Sequence, residues 1–224
     1  MIEEPPPLTV APSIERPPRE LVERLRGAPT SFVVDAMGGA GALDWRIRPI
    51  VGHSLFGVAL TCDCGVGDNL ALVAAVAKAE PGDVVVAASG GATGAAVTGD
   101  LIIGVARNRG AVGFVTDGLV RDIAALEALN VPVFAMGVCA VPPGRRGPGT
   151  VGLPIVCGGR PISSGDVIVA DRDGVAVVPR ERLAETIERL ERVRTAEARV
   201  LERVRAGALE LPLDAATTSA LEPR

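Results

Sequence analysis

Tyrosine is absent from this 224-residue chain, and tryptophan, histidine and lysine occur once each, as Trp45, His53 and Lys78. These shortages exclude whole chemistries. One histidine leaves no material for a histidine-rich zinc centre or an HExxH helix, and little for a Ser-His-Asp triad. Lys78, the sole candidate for a Schiff base, precedes a Pro81-Gly82 turn on a surface helix face, where nothing activates it. Aromatics make up 2% of the chain against 48% hydrophobic residues, so the core must be close-packed from Ala, Val and Leu. Cys62, Cys64, Cys139 and Cys157 match neither a CxxC redox pair nor a tetrahedral zinc cluster. They read as small buried hydrophobes in a reducing compartment. A formal charge of −4 leaves no basic surplus for a phosphate backbone, so nucleic acid is not an expected partner. The uncharged stretches, such as 84–99, are too short and glycine-rich to span a membrane, and Met1 to Glu20 has no apolar signal core. A cytoplasmic protein with no membrane partner is therefore expected.

What is present reads as one α/β domain with extensions. Residues 1–20 are proline-rich and aperiodic, an extended arm expected to gain order by packing on a neighbour. Residues 21–37 suggest two short helices broken at Gly27-Ala28-Pro29, the second capped by Thr30 or Ser31. Short strands are expected between Ile47 and Cys64, and a helix from Asp68 to Ala79. A strand at 83–87, a glycine-rich loop at 90–98, a helix at 100–109 and a strand at 112–116 follow. A helix at 121–129 and a strand at 131–136 continue this β/α alternation, which implies parallel pairing. Beyond a Pro/Gly loop at 141–149, short strands at 154–157, 166–170 and 175–178 form a second, β-rich layer. A long charged helix covers 180–207, supported by the four-apart pairs Glu185/Arg189 and Glu188/Arg192, and 208–224 reads as a flexible tail. That helix is either a solvated surface element or an oligomer contact.

With nitrogen and sulfur ligands nearly excluded, a bound metal must rely on carboxylates and water, which favour hard cations such as Mg²⁺ or Mn²⁺. The segment Thr116-Asp-Gly-Leu-Val-Arg-Asp122 runs from a strand end through a glycine turn, the place where α/β folds seat ligands. Arg121 is a fork-shaped anion clamp beside Asp122, a hard-metal ligand, and a helix start there would favour a bound carboxylate. The same pair also reads as a structural cap. The loop Gly90-Gly-Ala-Thr-Gly94 either cradles an anion with its amides or serves as a turn that needs glycine. It lacks a dinucleotide or methyl-donor fingerprint.

Together these segments resemble the RraA-like family, which includes 4-hydroxy-4-methyl-2-oxoglutarate and 4-carboxy-4-hydroxy-2-oxoadipate aldolases. The resemblance covers roughly residues 30–207. Its ordered motifs are Val34-Asp-Ala-Met-Gly38, Gly67-Asp-Asn69, Pro81-Gly-Asp-Val-Val-Val86, Asp117-Gly-Leu-Val-Arg-Asp122, Pro132-Val-Phe-Ala135, Cys157-Gly-Gly159 and the run from Gly165 to Pro179. The aldolases of this family place an aspartate before an Arg-Asp pair with twenty residues between, and Asp100 stands so before Arg121-Asp122. By resemblance, Asp122 ligates a divalent metal, Arg121 holds a pyruvyl substrate, and Asp100 positions metal-bound water. Gly94, Gly99, Asp100 and Leu101 are the further substrate contacts this implies, and Glu197 resembles a glutamate brought by a neighbouring subunit's C-terminal helix. Members that inhibit ribonuclease E without catalysis lack the aspartate after that arginine, and this chain keeps it. Three positions depart from the common pattern: the glycine loop lacks acids, Ala125 replaces a carboxylate, and Met136 stands where arginine is common.

The resemblance implies a swivelling β/β/α three-layer domain with mixed sheets, flanking N-terminal helices and a long C-terminal helix. It implies homotrimers or homohexamers with active sites between subunits. The implied activity is that of a class II, metal-dependent aldolase, a carbon–carbon lyase that cleaves a 4-hydroxy-2-oxo acid to pyruvate and also decarboxylates oxaloacetate. The alternatives are a diverged member acting on another oxo acid or as an isomerase, and a non-enzymatic regulator that binds ribonuclease E.

Overall fold

The computed structural model describes residues 7–208. In chain order the elements are β1 (Leu8–Val10), α1 (Arg19–Glu23), α2 (Thr30–Ala36), β2 (Arg48–Val51), β3 (Leu55–Asp63), α3 (Leu70–Val76) and β4 (Asp83–Ala88). Next come β5 (Ala96–Thr98), α4 (Asp100–Asn108), β6 (Gly113–Thr116), β7 (Leu119–Val120), α5 (Ile123–Leu129), β8 (Val133–Ala135) and β9 (Gly137–Val138). The chain closes with β10 (Gly149–Val151), β11 (Ile155–Cys157), β12 (Arg160–Ile162), β13 (Val167–Asp171), β14 (Gly174–Val178) and α6 (Leu183–Arg205).

A nine-stranded sheet is ordered β1-β10-β3-β4-β6-β8-β2, with the β13–β14 hairpin attached through β13 to β3. Its centre, β3-β4-β6-β8, is parallel, as the β/α alternation requires. Side-chain alternation along β4 splits the core. Val85 and Ala87 face α3, α4 and α5 with Leu72, Ala75, Ile103, Ala106 and Leu126, while Val84 and Val86 face the other way, against Ile155, Cys157 and Ile162 of the β11–β12 hairpin. β4 is buried on both faces, in keeping with the apolar run that follows Asp83, from Val84 to Ala88. A third cluster covers the outer side of the β13–β14 hairpin: Val167, Val169, Ala176 and Val178 pack on α1, α2 and the first half of α6. The fold is thus the mixed β/β/α arrangement with N-terminal helices and a long C-terminal helix.

Several local expectations are corrected. The arm finds partners on its own chain: β1 pairs in parallel with β10. Arg16 grips the nearly buried Asp83 with two hydrogen bonds, Nε to Oδ1 at 2.9 Å and Nη2 to Oδ2 at 2.8 Å. A buried carboxylate at the start of a central strand must be paired, and the arm supplies the partner. Neither Thr30 nor Ser31 caps α2; Pro29 occupies that place, and the Thr30 amide donates to Asp171 Oδ2 at 2.9 Å, across from β13. The glycine loop ends in a strand, because Ala96–Thr98 pairs with β7 to begin a small three-stranded sheet, β5-β7-β9. The expected strand at 154–157 lies in the separate β11–β12 hairpin, whereas β13 and β14 belong to the main sheet rather than to a second one. Residues 209–224, read as a tail, lie outside the described residues. Among the described residues no helix is long and apolar enough to cross a membrane.

Candidate active site

The small sheet builds the site. β7 carries the chain out of the glycine turn at Gly118, where a Cβ would meet Ser89 Oγ at 2.5 Å and Val97 Cγ2 at 2.7 Å. Only glycine lets the turn pass this close. Beside it the buried Asp117 accepts hydrogen bonds from Ser89 N at 2.7 Å, Ser89 Oγ at 3.1 Å and Gly158 N at 3.4 Å, tying three loops together. Arg121 and Asp122 then stand in the corner between β7 and α5. They are not the first residues of a helix, as expected, because Asp122 has left-handed backbone angles (φ 60°, ψ 43°) and α5 begins at Ile123. The Arg121 amide donates to Thr98 O at 3.0 Å, which locks this corner to β5.

Immediately after β5 the chain enters α4, nine residues long, whose N-terminal residue Gly99 contributes no side-chain cap. The first-turn amides of a helix have no acceptor within it and carry the positive end of its dipole, so an anion is favoured there. That role was expected of the Gly90–Gly94 loop and of the helix after Arg121. β5 separates the glycine loop from α4, so the first turn at the cavity is Gly99 to Ile102, and the resemblance had already implied Gly99, Asp100 and Leu101 as substrate contacts.

These segments enclose a cavity of about 230 Å³ lined by Asn69, Thr98, Gly99 to Ile102, Arg121, Asp122, Pro142, Pro143 and Arg145. Arg121 Nε lies 3.2 Å from Asp122 Oδ2, and both side chains are partly exposed, at 37% and 42%. Room at this corner depends on Gly99: a Cβ there would overlap Asp122 Oδ2 and press Arg121 Cγ at 3.2 Å. Of the residues singled out from sequence, Gly99, Asp100, Leu101, Arg121 and Asp122 meet at this cavity. Gly94 is exposed and outside its lining, and Glu197 stands exposed on the part of α6 beyond its buried first turns. Ala125 is exposed on α5, and Met136 packs against the core cluster around Phe134, so neither of these departures from the family pattern lines the cavity.

The donor set at the cavity suits a hard cation. Among the described residues no group of three His, Cys, Asp or Glu side chains is arranged as a metal cage. Asp122 and Asp100, however, put two carboxylates on one small cavity, and Mg²⁺ is commonly held by one or two carboxylates with water and substrate completing its shell. Oxygen-only donors of this kind also match Mn²⁺.

Two further cavity residues, Asn69 and Arg145, were not assigned a role from sequence. Asn69 is 2% exposed; its Nδ2 donates to Val97 O at 3.1 Å and its Oδ1 accepts from Arg145 Nε at 3.1 Å. The available signal was two successive arginines in the Pro142-Pro-Gly-Arg-Arg146 loop with no acid nearby in sequence.

Compared with known proteins, residues 30–177 match the RraA-like family model, described as Aldolase/RraA. A protein of Halalkalibacterium halodurans, provisionally named a 4-hydroxy-4-methyl-2-oxoglutarate aldolase, is 40% identical over 162 residues, 72% of this chain and 77% of its own. The crystal structure of an uncharacterised protein from Pseudomonas syringae pv. tomato superimposes with a TM-score of 0.75 at 26% identity, covering 87% of this chain and 96% of that one. Streptomyces coelicolor RraAS2, described as an unusual member of the RNase ES inhibitor RraA protein family, gives 0.73 at 25% identity, covering 85% and 100%. With the family match running from α2 into β14 and the fold shared with a solved RraA protein, the chain belongs to the RraA-like family.

Proposed function

We propose that the chain cleaves a 4-hydroxy-2-oxo acid of the 4-hydroxy-4-methyl-2-oxoglutarate type by a divalent-metal-dependent retro-aldol reaction, releasing pyruvate and a second oxo acid. The observation that carries this reading is the position of Arg121 and Asp122: side by side on the wall of a cavity that also receives Asp100 and the first turn of α4. The relative from H. halodurans, whose name carries the same activity, supports it.

In this reading the guanidinium of Arg121 holds the 2-oxo carboxylate through paired N–H groups, and the amides of Leu101 and Ile102 add donors from the helix end. Asp122 is the metal ligand, and a bound Mg²⁺ or Mn²⁺ supplies Lewis-acid charge for the oxo group. As the 4-hydroxyl loses its proton, C4 becomes a carbonyl and the C3–C4 electron pair passes to the pyruvate fragment as an enolate. Arg121 and the α4 amides face the developing negative charge, the largest catalytic contribution of such a site. Asp100, on the first turn of α4, positions water for the proton that leaves the hydroxyl and returns to C3. Oxaloacetate decarboxylation passes through the same enolate and is the expected second activity.

A second reading, a regulator of an RNA-processing enzyme, draws on the likeness to RraAS2. Residue variants separate the two. Arg121→Lys and Asp122→Ala should each cut pyruvate release by roughly 10²-fold or more, because a point charge cannot form the guanidinium fork and the metal ligand is lost. Thermal unfolding should stay near that of the parent, since both side chains are partly exposed. Near-normal rates in either variant count against the assignment.

A further inference from the structure

We propose that Asp117 is a positioning residue of this site: acting through Ser89, it fixes the Gly118 turn and thereby the placement of Arg121 and Asp122. This rests on the aldolase reading and deepens it by naming what holds the reacting corner in place. Neither Asp117 nor Ser89 lines the cavity. Both are buried, Ser89 completely and Asp117 to all but 5%. Ser89 directly follows β4 and Asp117 directly follows β6, so their contact joins the C-terminal ends of two adjacent central strands.

An ionised carboxylate only accepts hydrogen bonds, and it can take several donors at once. Here the donors divide by oxygen. Oδ1 takes both Ser89 bonds, from N at 2.7 Å and from Oγ at 3.1 Å, while Oδ2 takes the longer bond from Gly158 N at 3.4 Å. Ser89 is also the surface beneath the turn, since a Cβ on Gly118 would meet Ser89 Oγ at 2.5 Å and Ser89 Cβ at 3.2 Å. The bond from Oγ to Oδ1 therefore fixes the rotamer against which the turn rests. From Gly118 the two residues of β7 lead straight to Arg121, whose amide is pinned to Thr98 O at 3.0 Å. An extended run this short, about 10 Å, passes a shift of the turn on to the guanidinium and to the carboxylate after it. The corner has little slack to absorb such a shift, because Asp122 Oδ2 and Arg121 Cγ already lie against Gly99.

The test compares Asp117→Ala with Asp117→Asn in the full chain, following KM for 4-hydroxy-4-methyl-2-oxoglutarate and the Mg²⁺ concentration that gives half-maximal pyruvate release. A purely structural tie would lower the folded fraction, and with it the apparent kcat, while leaving both constants at their parental values. Displacement of Arg121 and Asp122 raises them instead, and Asp117→Ala should raise each by roughly 10-fold or more. Asp117→Asn keeps the oxygen that Ser89 bonds but turns an NH2 toward the Gly158 amide, so it should melt below the parent while both constants stay within about 3-fold. Parental constants in Asp117→Ala overturn the proposal. Equal rises in the two variants do so as well, because they would assign the effect to the lost charge. Should Asp117→Ala fail to fold, Ser89→Ala decides: it removes only Oγ and should raise both constants by about 3-fold or more, and unchanged constants reject the proposal. If the parent releases no pyruvate, the aldolase reading fails and the same variants are judged by calorimetric binding of pyruvate with Mg²⁺ present. Affinity lost in Asp117→Ala and kept in Asp117→Asn supports the positioning role. Equal affinity in the parent and Asp117→Ala, or no binding by the parent, rejects it.

Discussion

At the scale of single residues, the site is a problem of clearance. Gly99 has extended backbone angles (φ −145°), so its glycine is not required by conformation; what requires it is the missing Cβ beneath Asp122 Oδ2 and Arg121 Cγ. Gly99→Ala should therefore leave the melting temperature within a few degrees while displacing the ion pair. Misplacement of this order can cost about 10²-fold in rate, and steady-state pyruvate release would show it. A Gly99→Ala enzyme with parental kinetics would mean that the corner does not need to be this tight. Shortages of His and Lys pointed to Arg121 and Asp122 as candidates, the family resemblance added Asp100, and all three line one cavity. Their setting was not legible. Asp122 adopts a left-handed conformation that aspartate tolerates better than most residues, and nothing in its neighbours' periodicity announces it. Asn69 and Arg145 meet across 76 positions of sequence, a distance no local pattern spans.

At the scale of elements, two short pieces position the cavity. The 141–147 loop brings Pro142, Pro143 and Arg145 to it, and Asp68 is its clasp. Burial pushes the Asp68 carboxyl up, but hydrogen bonds from the amides of Arg146, Leu70, Gly147 and Asn69 outweigh this and hold it below its ordinary value of 3.8. A lowered carboxylate contributes its stabilisation above the ordinary value and loses it as pH falls through the folded one. Hydrogen exchange of the Arg146 and Gly147 amides should thus lose protection as the solution is acidified below about 3.8, and Asp68→Asn should lose it at neutral pH. Protection indifferent to both changes would contradict the clasp. The second piece is α6, whose Leu183, Ile187 and Leu190 are buried against α1, α2 and the β13–β14 hairpin. Leu190→Ala should cost about 2–5 kcal/mol, measured by denaturant unfolding, as for other fully buried leucines. A loss under 1 kcal/mol would mean the helix is not part of that core. Strong periodicity made β4, α4 and α6 readable in advance; β5 was not, because three residues after a glycine loop become a strand only by pairing with β7.

For the whole molecule, the layers explain why one corner can be both precise and open. A doubly buried parallel centre supplies rigidity, the small β5-β7-β9 sheet lies at the end of it, and the cavity forms where α4 and the corner after β7 leave that sheet. The arm adds to the rigid part, since Arg16 neutralises Asp83 at the start of β4. The β/α order was legible from the alternation of apolar runs and turns, but of the expected second layer only the 154–157 strand stands apart, because the sharing of one sheet by β3, β13 and β14 depends on pairings between distant segments. Glu197 stands exposed on the outer part of α6, and within one chain it does not line the cavity. The most direct measurement is pyruvate release from 4-hydroxy-4-methyl-2-oxoglutarate before and after treatment with a chelator, followed by Mg²⁺ addition. Release that stops with the chelator and returns with Mg²⁺ is the expected result. Release that ignores the chelator, or none in any condition, would contradict a cation and an oxo acid sharing the Arg121–Asp122 corner.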